Sequence, residues 1–391
     1  MKKAILFLVC GMAVIAACQR EPLPGGHSDE VELTGTNVSV SKLPSGIRKV
    51  FILNEGSMGS NNSSLDILRV SDGTYVTGAF KKMNPSVGAG LGDTGNDIAV
   101  NGDEVWITVN NSGIVEILSA QDETEIATVS VPTPRNIAFD GKYAYVTSWS
   151  GAYADYEYDS EGNSTLKDYK NPKGQLYRIN LKTKKLAGHI EVGYQPEGVA
   201  VHNGKIYVAN SGGISYQLPP DYTYDKTVSV IDAKSFEVTK TVDVEINLQE
   251  VFSDGDGLIY VTTYGDFYKT HSGLFAIDTR NGDSVQKVGD YASVAAISGD
   301  TVYCIGNQSD LDGWYAPKIM TAWSCTKGAK GRFTFPADAA NAYGIAVLGP
   351  GVVLAGNAGD FFNPGTVSLY VNGSKEWSVT AGVSPGHFAI W

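Results

Sequence analysis

A short two-strand unit recurs along the chain and constrains its fold more than any other feature. In each copy, an apolar strand leads through a tight turn into a second apolar strand that carries an aromatic residue. The clearest copies span residues 98–107, 137–146 and 199–208, and weaker copies span 251–261, 295–305 and 345–355. The clear copies turn at Asn-Gly or Asp-Gly, which supply the positive φ angles that two-residue hairpins require. The unit therefore predicts antiparallel β-hairpins.

The two ends of the chain hold complementary halves of this unit. Residues 48–53 match a second strand without a first, and residues 385–391 match a first strand without a second. Two more strands follow each pair, such as 227–232 and 238–244, so each unit predicts a four-stranded antiparallel sheet. We therefore predict an all-β fold, a seven-bladed β-propeller closed by pairing of the N- and C-terminal strands in one blade. The alternative, a β-sandwich, needs no complementary halves at its ends.

The N-terminus has the pattern of an export signal. Lys2 and Lys3 precede an apolar run over residues 4–17, which is too short to span a membrane, and Cys18 follows directly. Residues 15–18, Ile-Ala-Ala-Cys, resemble the bacterial lipobox, whose cysteine is acylated. We predict a lipoprotein signal peptide over 1–17, an acylated Cys18 with a flexible tether over 18–45, and the propeller over 46–391. The alternative is an ordinary cleaved signal with an incidental cysteine.

The net charge limits the kinds of partner that the chain can bind, and the cysteine content limits the disulfides that it can form. The formal net charge is −12, and loss of Lys2 and Lys3 with the signal takes the mature chain to −14. An acidic chain lacks the basic footprint that phosphate backbones require, so we predict no nucleic-acid partner. Cys304 and Cys325 lie on neighbouring predicted strands, which leaves a disulfide and two buried thiols as alternatives.

Residues for metal or catalytic chemistry are sparse. None of the five histidines stands at metal-ligand spacing from another histidine or a cysteine, and residues 159–168 match a calcium loop only loosely. Neither a glycine-rich phosphate loop nor a nucleophile elbow lies between a strand and a helix. We therefore predict a protein that is not an enzyme and that requires no metal and no cofactor. The alternative, a propeller lyase or lactonase, requires His387 close to Glu197 or Arg135.

Aromatic and amide residues concentrate in the connections at one end of the predicted blades. We call this end the loop face, and it holds the connections between second and third strands together with those that enter the first strands. Rigid Tyr and Trp side chains beside amides suit a flat, partly apolar ligand with hydrogen-bonding edges. The same residue types also cover blade edges and cap turns, which is the structural alternative.

Polar residues directly before the first strands are expected to surround a mouth at the centre of the loop face. They either bind a ligand or only solvate a channel. Taking the loops and the mouth together, the predicted ligand-binding residues are Asn54, Glu55, Met58, Asp93, Asn96, Arg135, Trp149, Tyr153, Glu197, Asn210, Tyr216, Tyr222, Tyr264, Tyr268, Asn307, Trp314, Asn357, Phe361 and His387.

Four segments resemble one family of propellers. They are residues 53–61 (Leu-Asn-Glu-Gly-Ser-Met-Gly-Ser-Asn), 91–98 (Leu-Gly-Asp-Thr-Gly-Asn-Asp-Ile), 145–148 and 205–213. These segments are similar to the YncE-like propeller lipoproteins of gut Bacteroidetes, and more narrowly to the BtuG-type surface proteins that bind vitamin B12. The resemblance covers about residues 46–391.

The resemblance implies a surface-exposed outer-membrane lipoprotein that binds cobalamin or a related corrinoid. It also implies delivery of that ligand to a TonB-dependent outer-membrane transporter of the BtuB type. A corrin is a broad ring edged with amides, for which stacking on Tyr or Trp and hydrogen bonds from Asn, Asp and backbone groups are natural contacts. A glycan- or peptide-binding surface adhesion module is the alternative function. Residues 19–21 are less acidic than expected of a surface-export signal, so a periplasmic orientation is the alternative location.

Overall fold

The computed structural model describes residues 34–161, 164–213, 224–266, 270–299, 301–307, 318–324, 330–334 and 342–391. The signal peptide and Cys18 lie outside these ranges, as do Tyr216, Tyr222, Tyr268, Trp314 and Cys325 and the side chain of Asn307. Predictions that fall on those residues are therefore outside the structural description.

The described chain is all-β and consists mainly of four-stranded antiparallel sheets. It begins with β1 (Thr36–Asn37), β2 (Lys49–Asn54), β3 (Ser64–Arg69), β4 (Thr74–Val76) and the short helix α1 (Ala79–Met83), followed by β5 (Gly95–Asn101), β6 (Glu104–Val109), β7 (Ile114–Ser119) and β8 (Glu125–Ser130). Next come β9 (Pro134–Phe139), β10 (Tyr143–Ser148), the separate hairpin β11 (Tyr153–Tyr158) and β12 (Ser164–Lys170), then β13 (Lys173–Asn180) and β14 (Lys185–Tyr194).

The second half of the chain continues the same pattern. Its strands are β15 (Pro196–His202), β16 (Lys205–Asn210), β17 (Thr227–Asp232), β18 (Glu237–Asp243), β19 (Leu248–Ser253), β20 (Leu258–Thr263), β21 (Gly273–Asp278), β22 (Ser284–Asp290), β23 (Val294–Ser298), β24 (Thr301–Asn307), β25 (Lys318–Ser324), β26 (Lys330–Thr334), β27 (Ala342–Gly349), β28 (Val352–Asn357), β29 (Pro364–Val371), β30 (Ser374–Val383) and β31 (Pro385–Ile390). In the described ranges, no helix is long and apolar enough to cross a membrane.

The two ends of the chain meet in one sheet. Its strand order is β1-β4-β3-β2-β31, and β31 runs antiparallel to β2 with Val50 opposite Ile390 and Ile52 opposite Phe388. The main-chain N–H groups of Arg48 and Lys49 also donate to the carbonyl of Trp391. The last residues of the chain are therefore hydrogen-bonded into a sheet.

Strand β2 is buried on both faces, because its sheet packs between two others. Phe51 and Leu53 on one face of β2 pack with Ile107 of the following sheet. Val50 and Ile52, on the other face of β2, pack with Leu354 of the sheet that precedes β31. Burial on both faces explains why second strands such as β2 and β16 are nearly continuous apolar runs without polar alternation.

Residues 34–45, assigned to the tether by the sequence, are part of the folded unit. Strand β1 pairs with β4, and Val38, Val40 and Leu43 pack against the core around Val50. The indole Nε1 of Trp377 donates to the carbonyl of Ser39 over 2.8 Å. The segment covers the outer edge of β4, which would otherwise present unpaired backbone groups.

Cys304 is a buried free cysteine on β24. Its Cα lies opposite Thr321 of β25, and Ser324 lies opposite Thr301, at the other end of β24. Cys325 follows Ser324 in the sequence, whereas Cys304 lies three positions along β24 from Thr301, the residue opposite Ser324. This placement favours the buried thiol over the disulfide for Cys304.

Candidate functional site

The first strand of each sheet's hairpin is entered through an unusual backbone conformation. We call these strands, β5, β9, β15, β19, β23, β27 and β31, the inner strands. Six of them begin within three residues of a non-glycine residue with positive φ. These residues are Thr94 (60°), Thr133 (39°), Gln195 (39°), Asn247 (57°), Tyr291 (61°) and Ser384 (55°). Positive φ is uncommon for such residues, so its repetition at one structural position marks it as a feature of the fold.

Residues with this positive φ accept main-chain hydrogen bonds from the residues that follow the second strands. The carbonyl of Thr133 accepts the N–H of Trp149, that of Asn247 accepts the N–H of Tyr264, and that of Ser384 accepts the N–H of Glu55. Glu55, Trp149 and Tyr264 therefore occupy equivalent positions in three sheets.

The inner strands bulge next to these entrances. The pairing register shifts between Gly95 and Asp97 on β5, between Pro196 and Val199 on β15, and between Leu248 and Val251 on β19. A β-bulge redirects the side chains beside it. Consecutive inner strands also contact one another, and β31 contacts both β27 and β5. We call the resulting group the polar mouth, and it comprises Glu55, Asp97, Arg135, Trp149, Glu197, Glu250, Tyr264, Tyr343 and His387.

Arg135, Glu197 and Trp149 form the first unit of the polar mouth. The guanidinium Nε of Arg135 donates to Glu197 Oε2 over 2.8 Å, and the indole Nε1 of Trp149 donates to Glu197 Oε1 over 3.1 Å. The guanidinium carbon of Arg135 lies 4.5 Å from the centroid of the Trp149 ring, a cation–π contact. Burial raises the pKa of Glu197, although the positive charge of Arg135 acts to lower it. Two contacts thus hold the indole in one orientation, and the Arg135–Glu197 bond joins the two residues that make them.

Glu55 joins two inner strands in the second unit. Its Oε1 lies 2.8 Å from His387 Nε2, and its Oε2 accepts the hydroxyl of Tyr343 over 2.7 Å. Burial lowers the pKa of His387, but the hydrogen bond and charge of Glu55, with Asp97 and Glu250 nearby, raise it overall. The imidazole is therefore biased toward its protonated form, which carries two N–H donors.

Asp97 and Glu250 each accept a main-chain hydrogen bond from the next inner strand. Asp97 Oδ2 accepts the N–H of Ile137 over 2.9 Å, and Glu250 Oε2 accepts the N–H of Ala295 over 2.6 Å. Both carboxylates line a cavity of about 200 Å³ together with Asn136. Burial raises the pKa of Asp97, and it raises the pKa of Glu250 to about 7.

Two tyrosines complete the polar mouth as neutral hydroxyls. Burial, followed by the charges of Glu250 and Glu55, raises the pKa of Tyr264. Burial and the charge of Glu55 likewise raise the pKa of Tyr343. Within the described ranges, no group of three or more His, Cys, Asp or Glu side chains has the geometry of a metal site.

The structure brings together six of the predicted ligand-binding residues: Glu55, Arg135, Trp149, Glu197, Tyr264 and His387. Asn96 lies directly behind them, because its side-chain amide donates to the carbonyl of Arg135 over 3.1 Å. Sequence reasoning did not select Asp97 or Glu250 as binding residues. The signal was available, since both directly precede the first apolar residue of their repeat copy, the position that His387 holds in β31.

Asn54 and Asn210 have interior roles instead of binding roles. Both are fully buried at the ends of second strands. The Asn54 amide donates to Ser64, and the Asn210 amide donates to Thr227 and Ser229. These bonds to neighbouring strands hold the end of the sheet together, and the buried side chains offer no surface to a ligand, although Asn54 Oδ1 has no hydrogen-bond partner among the described residues.

The remaining predicted residues that the structure describes lie in the loops around the mouth. Met58 is 76% exposed, and Asp93 accepts the N–H of Gly59 over 3.0 Å. The ring of Phe361 meets that of Tyr343 edge to face at 5.3 Å. Asn357 Oδ1 accepts a turn N–H, and the Tyr153 hydroxyl donates to Asp168 within the β11–β12 hairpin.

The fold and the mouth together define an all-β, propeller-like protein. Three solved structures resemble the chain: hydrazine synthase of Kuenenia stuttgartiensis, a functionally unknown protein of Desulfotomaculum acetoxidans, and a quinoprotein alcohol dehydrogenase-like protein of Bacteroides thetaiotaomicron. Sequence identities are 16%, 13% and 13%, and TM-scores are 0.55, 0.58 and 0.56. The matches cover 75%, 88% and 88% of this chain and 88%, 98% and 78% of the other chains.

Identities this low support the shared fold alone. No protein-family model and no curated protein matches the chain.

Proposed function

We propose that the sheets form a closed propeller of seven blades. Apart from the β11–β12 hairpin, the described strands fall into seven sheets of four or five strands. Contacts between successive inner strands run from β5 through to β31 and return to β5. The pairing of β31 with β2 supports closure by a blade that contains both ends of the chain.

We further propose that the polar mouth and the surrounding loop face bind cobalamin or a related corrinoid. The observation that carries this proposal is the fixed indole of Trp149, held by Glu197 and Arg135 beside hydroxyl, imidazole and carboxylate groups. The ligand ring exceeds the cavity of about 200 Å³, so it would lie across the loop face while its side groups reach into the mouth. An aromatic surface beside convergent polar groups is the usual composition of such sites.

The segments that resemble BtuG-type proteins support this assignment, because they build the mouth. Residues 53–61 contain Glu55, which holds His387 and Tyr343. Residues 91–98 contain Asn96 and Asp97, which bond to the neighbouring inner strand β9. The similarity therefore falls on residues that would meet the ligand or position those that do.

We propose the same family's location and partner for this chain. The protein would be an outer-membrane lipoprotein on the cell surface, acylated at Cys18, and it would deliver its ligand to a TonB-dependent transporter of the BtuB type. Two adjacent loops offer apolar surface beside the mouth: Met58 is 76% exposed, Phe362 is 60% exposed, and the hydroxyl of Ser57 donates to the carbonyl of Phe361. Apolar contacts of this kind suit a partner or a large ligand.

Calorimetric titration with cyanocobalamin tests the binding proposal. We expect saturable binding by the purified protein and about tenfold or greater loss in the W149A variant, because a central aromatic contact is removed. The control is W377F at the rim, where the indole Nε1 donates to the carbonyl of Ser39. Absence of binding at micromolar ligand would remove the corrinoid proposal and leave the fold unaffected.

A propeller lyase or lactonase is the second candidate, favoured by one observation. Glu250, with a pKa of about 7, and His387, with a raised pKa, lie close enough for their charges to interact, as a general acid and base require. Mass spectrometry of cyanocobalamin recovered after prolonged incubation separates the candidates. A binding protein returns the ligand unchanged, whereas a modified product favours the enzyme.

A further inference from the structure

We propose that the polar mouth is a carboxamide subsite, which accepts a neutral primary amide of the ligand and rejects the corresponding carboxylate. This inference rests on the proposed corrinoid function and adds the chemical group that enters the mouth. The observations behind it are one hydrogen-bond acceptor and several donors in the mouth that have no partner among the described residues.

The donor side consists of Arg135 and His387. Arg135 uses its Nε for Glu197, and within the described part of the chain its two terminal nitrogens make no hydrogen bond. His387 uses Nε2 for Glu55, and in the same ranges its Nδ1 has no partner. The mouth thus has N–H groups available for a carbonyl oxygen.

The acceptor side is Glu250. Its Oε2 is occupied by the N–H of Ala295, while its Oε1 has no partner among the described residues and lines the cavity. A carboxylate oxygen can only accept, so it would pair with the NH₂ group of an amide. Donor and acceptor lie on adjoining parts of the mouth, because Arg135 pairs with Glu197 of β15, and β15 contacts β19, which carries Glu250.

The charge balance separates an amide from a carboxylate. Four carboxyl groups, Glu55, Asp97, Glu197 and Glu250, surround Arg135 and His387, and Arg135 and His387 are already paired with Glu197 and Glu55. A ligand carboxylate would bring a further negative charge and no N–H donor, so Glu250 Oε1 would remain without a partner and meet a like charge. Like-charge contacts and unpaired polar groups both weaken binding strongly. A primary amide satisfies both sides.

The test compares cyanocobalamin with its b-, d- and e-monocarboxylic acids, in each of which one side-chain amide is replaced by a carboxylate. We expect at least one acid to bind about tenfold or more weakly by calorimetry at pH 8, and that acid identifies the amide that enters the mouth. The b, d and e amides end the longest primary-amide side chains of the ring, which reach furthest into the mouth, so equal affinities for cyanocobalamin and all three acids would overturn the subsite. If cyanocobalamin itself fails to bind, the proposed function fails first, which is a distinct result.

The E250Q variant tests the assigned residue, because Gln keeps an acceptor and removes the charge. We expect the affinity ratio between cyanocobalamin and the discriminated acid to shrink severalfold in E250Q. The matched control is E237Q on the exposed strand β18, which should keep the wild-type ratio. Circular dichroism checks that both variants fold, and an unchanged ratio in folded E250Q would contradict the role of Glu250.

Discussion

Arg135 on β9 and Glu197 on β15 are joined by a hydrogen bond of 2.8 Å between Nε and Oε2. The side chains are 19% and 6% exposed, so the ion pair is largely removed from water. It connects two consecutive sheets and positions the indole of Trp149 at the same time. Stability and the proposed binding surface therefore depend on the same contact.

Replacing Arg135 alone should destabilise the fold. In R135M, Glu197 stays buried without its cation, and breaking a buried pair in this way costs about 3 kcal/mol. We expect a lower free energy of unfolding in urea, with part of it recovered in the R135M/E197Q double variant. The control is K226M, because the Lys226–Asp243 pair is exposed and such pairs contribute little to stability. Equal losses in R135M and K226M would contradict the account of the mouth.

Glu250 should make the fold less stable as the pH rises. Its pKa of about 7 in the folded state exceeds the ordinary value of 4.5, so the folded protein binds the proton more tightly. Stability therefore falls as the pH rises between these two values, by up to about 3 kcal/mol. The raised pKa of His387 acts in the same direction, since its contribution is lost on deprotonation.

The E250Q variant isolates this effect. We expect E250Q to be more stable than the wild type at pH 8, with the difference shrinking by pH 5, where Glu250 is protonated. Thermal unfolding across this pH range provides the measurement. A difference that grows on acidification would have the opposite sign and would refute the buried-carboxylate explanation.

Glu55 should control the protonation of His387. Replacement by Gln removes the charge that outweighs the burial of the imidazole, so the pKa of His387 should fall in E55Q. Histidine-labelled protein titrated by NMR measures this directly, with the His387 signal assigned from H387N. E104Q is the control, because Glu104 pairs with Lys184 away from the mouth. An unchanged His387 pKa in E55Q would show that another group sets it.

The pairing of the chain ends predicts a specific disulfide. Val50 and Ile390 are directly opposite on β2 and β31, so V50C/I390C should oxidise to a cross-link. The bridge would close a loop of more than 300 residues and raise stability by about 4 kcal/mol or less. The off-register pair V50C/A389C serves as the control. Failure of V50C/I390C to cross-link in the folded protein would contradict the closing blade.

The repeated hairpins and the complementary chain ends were visible in the sequence because their signals are local. The Asn101–Gly102 turn, for example, joins β5 to β6. The tether predicted over residues 18–45 extends too far along the chain. Val38 and Val40 stand in a polar stretch, and they are partly buried because they pack against a core that the sequence alone does not reveal.

The composition of the polar mouth was predicted only in part, for a geometric reason. Glu197 and His387 were expected at the mouth, but Asp97 and Glu250 reach it through bulges whose positions depend on pairing register. Asn54 and Asn210 look like binding residues in the sequence because an amide at a strand end can face either a ligand or a neighbouring strand. Only the tertiary structure shows that they bond to neighbouring strands.

A crystal structure of the protein with bound cyanocobalamin would show where the ligand lies relative to the polar mouth. We expect the corrin across the loop face in contact with Trp149, and one side-chain amide between Arg135 and Glu250. A corrinoid bound at the opposite end of the sheets, or only at the outer rim, would contradict this expectation.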